Sequence, residues 1–148
     1  MKRLFVILTI ALSSLTLSSF AADKGDDVSP KAIKSFNSSF KNATEISWTV
    51  NENYYKANFA LNGQYVSAFY DADGNMIALT RNISSLQLPI ALQADLKKNY
   101  DSYWISDAME VANNEGTSYY ITLENADTQL ILKSNTDSWS SFQKQRKS

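Results

Sequence analysis

The chain has 148 residues, 14 Lys and Arg against 15 Asp and Glu, and neither Cys nor His. Without Cys no disulfide can staple the fold, and without His the Ser-His-Asp and Cys-His nucleophile systems, His-ligated zinc and His-ligated haem are all excluded. A formal net charge of −1, lower still once Lys2 and Arg3 are removed, argues against nucleic acid or an anionic membrane as partner.

The N-terminus reads as an export signal. Lys2 and Arg3 supply a positive start, Leu4 to Leu17 an apolar run, and Ser19-Phe20-Ala21 small residues at the −3 and −1 positions of a cleavage site. Those three parts predict a secretory signal peptide over residues 1–21. The apolar run is short for a membrane span, which needs ~20 residues. No Cys follows it, so lipid anchoring is not open to this chain. The mature protein is expected to be periplasmic or secreted, with no stable membrane insertion. Residues 22–28, charged and Gly-containing, read as a flexible leader. Residues 29–148 have the size of one domain.

Ser29-Pro30 reads as an N-cap followed by Pro at the first helical position. Ile33, Phe36 and Phe40 continue as one face of an amphipathic helix that Asn42 ends. Ile46, Trp48 and Val50 alternate with polar residues as a first strand. Asn51-Glu52-Asn53 turns the chain into a second, Tyr54 to Leu61. Asn62-Gly63 is a hairpin signal, because both residues tolerate positive φ. A third strand, Gln64 to Tyr70, the turn Asp71-Ala72-Asp73-Gly74 and a fourth strand, Met76 to Thr80, complete the first half.

The pattern then restarts. Leu88-Pro89 opens a second helix with Leu92, Leu96 and Tyr100 on one face. Strands follow at Trp104–Ala112, Ser118–Glu124, Gln129–Lys133 and Ser138–Phe142. Pro30 answers Pro89, Ile33 answers Leu92, Tyr54-Tyr55 answers Tyr119-Tyr120, and Phe69-Tyr70-Asp71 answers Leu132-Lys133-Ser134. The fold class expected is therefore α+β: a tandem repeat of one helix plus about four antiparallel strands, in halves 29–83 and 88–142. The helices would pack on one face of a curved sheet and leave the other to solvent or a partner. The basic residues Lys144, Arg146 and Lys147 read as a solvated tail.

The order of these features resembles a known family. An export signal, a helix, a Trp-bearing strand, Tyr54-Tyr55-Lys56-Ala57-Asn58-Phe59, Asn62-Gly63, Phe69-Tyr70-Asp71-Ala72-Asp73-Gly74, Ile83 and Leu88-Pro89 together are similar to the PepSY-like, beta-lactamase-inhibitor-protein-like domains of exported bacterial proteins. The resemblance runs from about Pro30 to Phe142. It implies a tandem α-β repeat whose curved sheet can hold a protein surface, and it supplies no catalytic residue. A fold does not carry its function with it. The second half departs from the pattern, with Thr136-Asp137-Ser138 in place of the Asp-Gly turn.

No constellation points to catalysis, a cofactor or a metal. Asp71-Ala72-Asp73-Gly74-Asn75 has its Gly too early for a calcium loop and Asn82 where that loop needs Glu, so a hairpin turn accounts for it. Glu45, Glu52, Glu110, Glu115 and Glu124 are carboxylates in polar or turn-like surroundings, with nothing to mark an acid–base pair. The aromatics are more informative. Trp48, Tyr55 and Phe59 are expected in the core beneath the helices. Tyr54 and Tyr120 have the opposite strand parity, and Tyr65 fits either register. If outward, they would form a sheet face with Lys56, Asn58, Thr122 and Glu124, a candidate binding face rich in Tyr. The expected function is a non-enzymatic exported binding module, inhibitor-like or regulatory towards an extracytoplasmic protein. A self-associating envelope or matrix component is the alternative.

Overall fold

The computed structural model describes residues 27–148. The signal peptide expected over residues 1–21, and most of the leader, lie outside the described residues. The element order is α1 (Pro30–Ser39), β1 (Thr44–Val50), β2 (Tyr55–Leu61), β3 (Gln64–Tyr70), β4 (Met76–Asn82), a short 3-10 turn (Ser85–Gln87), α2 (Ile90–Asn99), β5 (Trp104–Asn113), β6 (Gly116–Glu124), β7 (Thr128–Asn135) and β8 (Ser138–Arg146). The eight strands form one open antiparallel sheet in sequence order. No described helix is long and apolar enough to cross a membrane.

Each helix is held by one stripe of side chains. Ala32 and Phe36, four residues apart, bury the inner face of α1. The Phe36 ring lies 5.3 Å from Phe40, 5.4 Å from Trp48 and 5.0 Å from Phe59, tilted or edge-on to each, the arrangement ring quadrupoles favour. On α2, Leu92 and Leu96 do the same over Ile121, Leu123, Leu130 and Leu132. Trp139 of β8 locks that helix down: its indole N–H donates to the Leu92 carbonyl at 3.0 Å and its backbone N–H to the Asp95 carboxylate at 3.0 Å.

Both helices lie on the same side of the sheet, and the register across its middle shows why. Leu79 of β4 packs in the α1 cluster and pairs with Ala112 of β5. Ala108, two alternations back along β5, belongs to the α2 cluster. Strand side chains alternate with a period of two, so the two clusters share one face. Arg81 and Glu110, also paired on that face, join through two hydrogen bonds of 2.9 and 3.1 Å, and Arg81 reaches Gln64 at 3.0 Å.

The turns follow their residue chemistry. Asn62 (φ 51°) and Gly63 (φ 78°) close the β2–β3 hairpin. In the β3–β4 turn one Asp71 carboxylate oxygen accepts from the backbone N–H of Asp73 and of Asn75, both at 2.9 Å, and the other accepts from the Asn75 side chain. These bonds hold the Asp71 carboxyl below its ordinary pKa, the Asn75 side chain contributing most. The turn also seats α1: a Cβ on Gly74 (φ 83°) would come within 2.7 Å of the Lys31 backbone.

The helix starts fall where the two prolines mark them, and the one expectation about the elements that needs correction concerns the C-terminus. Ser29 is the N-cap of α1 and Pro30 its first residue, and the Ser29 side chain donates to the Ala72 carbonyl at 3.2 Å. Pro89 sits at the N-cap of α2, and the side-chain capping belongs to Ser84 and Gln87 around the 3-10 turn. The basic C-terminus is not a free tail. β8 runs on to Arg146, the Lys147 N–H donates to the Asp127 carbonyl at 2.8 Å, and its ammonium pairs with Glu124. A bulge opposite Ile131 and Leu132 absorbs one residue and lets the strand continue.

Candidate binding face

The face opposite the helices is defined by the same alternation. On β2 and β3 the pairs Lys56–Phe69, Asn58–Ser67 and Ala60–Tyr65 point away from α1. They continue through Thr80 of β4 and Val111 and Met109 of β5 to Ser118 and Tyr120 of β6 and Lys133 of β7. Phe69, Ala78 and Val111 are buried at its centre, with Tyr54, Ile77, Met109 and Tyr120 packed around them. None of the described helices contributes to this cluster.

All seven residues singled out from the sequence fall on this side, in two groups. Tyr54, the residue before β2, stands edge-on to Phe69 at 5.4 Å. Lys56 lies half-buried over the Phe69 ring, its ammonium 5.6 Å from the centroid. Asn58 accepts from the Ser67 hydroxyl at 2.7 Å. Tyr65 is 70% exposed, and its hydroxyl donates to the Glu45 carboxylate at 2.7 Å. That bond raises the Tyr65 pKa, since an ionised phenol would face the carboxylate.

The second group lies on β6. Tyr120 stands edge-on to Phe142 at 5.3 Å, beneath the Lys133 ammonium at 5.7 Å. Glu124 pairs with Lys147 and accepts from the Gln129 side chain, and hydrogen bonding from Lys147 first of all lowers its pKa. Thr122 is a correction: it has the outward parity, but its neighbours Asp107 and Ile131 leave it 5% exposed, so it offers no contact surface. Of the expected core aromatics, Phe59 is buried, while Trp48 and Tyr55 are only partly covered at the flank of the α1 cluster.

Several residues of this face were not singled out from the sequence: Phe69, Met109, Val111, Asp107, Lys133, Phe142 and Trp104. On β5 the parity misleads. Met109 and Val111 look like the buried set and Ala108, Glu110 and Ala112 like the outward one, yet the helix side is served by the small residues. The outward Asp107 carboxyl is half-buried, and burial raises its pKa. Trp104 lies under the Lys147 ammonium at 4.9 Å. On the other side of the sheet, a concavity of about 380 Å³ lies at the C-terminal end of α2, lined by Leu96, Tyr100, Tyr103, Ile105 and Leu123. Two of its walls are core residues, which makes it a gap in packing at the helix end.

No protein-family model and no curated protein sequence matches the chain. Solved structures do resemble it. A BLIP-like protein from Bacteroides fragilis NCTC 9343 superposes with a TM-score of 0.67 at 20% identity, over 80% of this chain and 86% of that one. A DUF2874 family protein from Bacteroides ovatus ATCC 8483 gives 0.71 at 18% identity, over 81% and 89%. A protein of Bacteroides eggerthii DSM 20697, assigned provisionally to the periplasm, gives 0.72 at 13% identity, over 80% and 88%. The chain therefore has a BLIP-like fold, and at these identities the likeness is one of fold alone.

Proposed function

We propose that this chain is an exported, non-enzymatic binding module that holds a protein partner on the open face of its sheet. One observation carries the proposal: a sheet face uncovered by any described helix bears Tyr54, Tyr65, Tyr120, Trp104 and Phe142, with charged groups between them. A face with no partner would serve solubility better with short polar residues. Tyr and Trp instead provide large, rigid contact area, as protein interfaces favour. Export is supported by the signal pattern of residues 1–21 and by the provisional periplasmic assignment of one structural neighbour. The inhibitor-like or regulatory form of the function, and the likeness to PepSY-like domains, are finer parts of the same proposal.

We also infer that the halves are two copies of one unit. In each, a helix precedes four strands. The first strand of each half carries a bulge just after its start, at Thr44–Ser47 and at Ile105–Asp107.

The test is capture from envelope extract and culture medium on the purified chain, read by mass spectrometry, beside a Tyr54→Ala, Tyr120→Ala double variant. A saturable protein that the variant fails to retain is the expected result. Every specific partner retained equally by both chains would refute the use of this face. Self-association is favoured by one feature, the exposed Ile46 and Val50 on edge strand β1. Against it, the bulge and positive φ at Glu45 blunt that edge, and Lys144 and Arg146 blunt the β8 edge. Monomers across a wide concentration range in sedimentation are the expected result.

A further inference from the structure

We propose that the partner presents carboxylate side chains, set among apolar ones, to two matched lysine sites on the open face: Lys56 over Phe69 and Lys133 over Tyr120. The proposal rests on the sheet-face reading of function and names the chemistry of the surface that would dock there.

The sites occupy the same place in the two halves. Lys56–Phe69 is the pair next to Ala57–Ala68, on the second and third strands of the first half. Tyr120–Lys133 is the pair next to Ile121–Leu132, on the second and third strands of the second half. Ala57 and Ile121 pair in turn with Trp48 and Ala108 of the first strands. Lysine and ring have exchanged strands between halves, and the combination is retained. Each ring also has a second aromatic edge-on to it, Tyr54 in one site and Phe142 in the other.

A third lysine shows what the two lack. Lys147 also lies over a ring, Trp104, but it is paired with Glu124. Among the described residues neither Lys56 nor Lys133 has an ion-pair partner. Of the other acids on this face, Glu45 is engaged by the Tyr65 hydroxyl, and Asp107 lies in the row of Thr122 and Ile131, whereas Lys133 shares its row with Tyr120 and Met109. The ring face holds each ammonium in place, and an ammonium has three donors to offer. Burial already lowers the Lys56 pKa, so a carboxylate set against it would restore favourable surroundings for its charge. The surrounding rings call for apolar contact, and the acidic balance of the chain disfavours polyanions. Isolated carboxylates on a partly apolar protein surface satisfy both.

The test is panning of a phage-displayed random peptide library on the purified chain. Selected peptides should be enriched in Asp and Glu beside aromatic or aliphatic residues. Lys56→Gln and Lys133→Gln should each weaken the best peptide by about tenfold, as expected for loss of one charge-assisted hydrogen bond, while Lys56→Arg and Lys133→Arg keep most of its affinity. Peptides without an acidic bias, or the same peptides selected by the Lys56→Gln, Lys133→Gln double variant with an unchanged urea midpoint, would overturn the proposal and leave the face reading standing. Selected peptides that bind the Tyr54→Ala, Tyr120→Ala variant as tightly as the parent lie elsewhere, and would overturn both.

Discussion

On the helix side of the sheet, Phe36, Phe59, Leu92, Ile121, Leu123 and Leu132 are almost wholly buried, and the charged pair Arg81–Glu110 is joined by two hydrogen bonds. On the other side, Tyr65, Trp104 and Phe142 stand exposed, and Lys56 and Asp107 are half-buried without an ion-pair partner among the described residues. Burial acts against the charged form of both groups. The first side is closely packed and its charges are paired, with the Tyr70 hydroxyl its one unsatisfied buried side-chain group among the described residues. The second keeps features that cost stability, which is what a binding surface is expected to show.

Mutations that compare the two faces test this division. The largest effect should come from Phe36→Ala, which empties a site among three rings and is expected to cost about 3–5 kcal/mol in urea unfolding. Tyr120→Ala, on the open face, should cost only about 1 kcal/mol, the scale of a lost aromatic pair. Equal costs would break the distinction between the faces. Trp139→Phe keeps most of the ring and loses the bond to the Leu92 carbonyl, for about 1–2 kcal/mol.

Two substitutions should not destabilise. The Tyr70 hydroxyl is buried under α1 with no hydrogen-bond partner among the described residues, and burial pushes its pKa from 10.0 up to about 12. Tyr70→Phe removes an unsatisfied group, so stability should hold or rise by up to about 1 kcal/mol. In the parent the unfolded chain loses this proton first. The phenol's contribution is therefore complete below about pH 10 and is lost as pH rises through about 12. The variant should show a flatter alkaline limb. Asp107→Asn should give the smallest change, a gain of roughly a few tenths of a kcal/mol at neutral pH. Because the folded pKa is raised, that gain should vanish in acid, below the pKa of the unfolded carboxyl. A loss at neutral pH would show that the Asp107 charge stabilises the fold.

Much of the architecture was legible because local signals agreed. Asn62-Gly63, Asp71 to Gly74 and the two prolines marked boundaries, and the element order follows them. What escaped had a long-range cause. The end of β8 was hidden because Phe142 sits in a bulge, and the pairing of Lys147 with Glu124 depends on that bulge. Tyr54 and Tyr120 lie on the open face, while their neighbours Tyr55 and Tyr119 pack on the helix side. A one-residue slip exchanges the faces of a strand. The outward parity of Tyr54 and Tyr120 could be read from their own strands. Lys133, Met109 and Val111 could be assigned to that face only once neighbouring strands were in register.

The most direct measurement is hydroxyl-radical footprinting of the chain with and without the partner obtained by capture. Oxidation of Tyr54, Tyr65, Tyr120 and Phe142 should fall on binding. Leu86 in the 3-10 turn and Ile90 at the start of α2, 82% and 86% exposed, should be unchanged. Protection of Leu86 and Ile90, with the four aromatics still oxidised, would place the partner on the helix side and contradict the account.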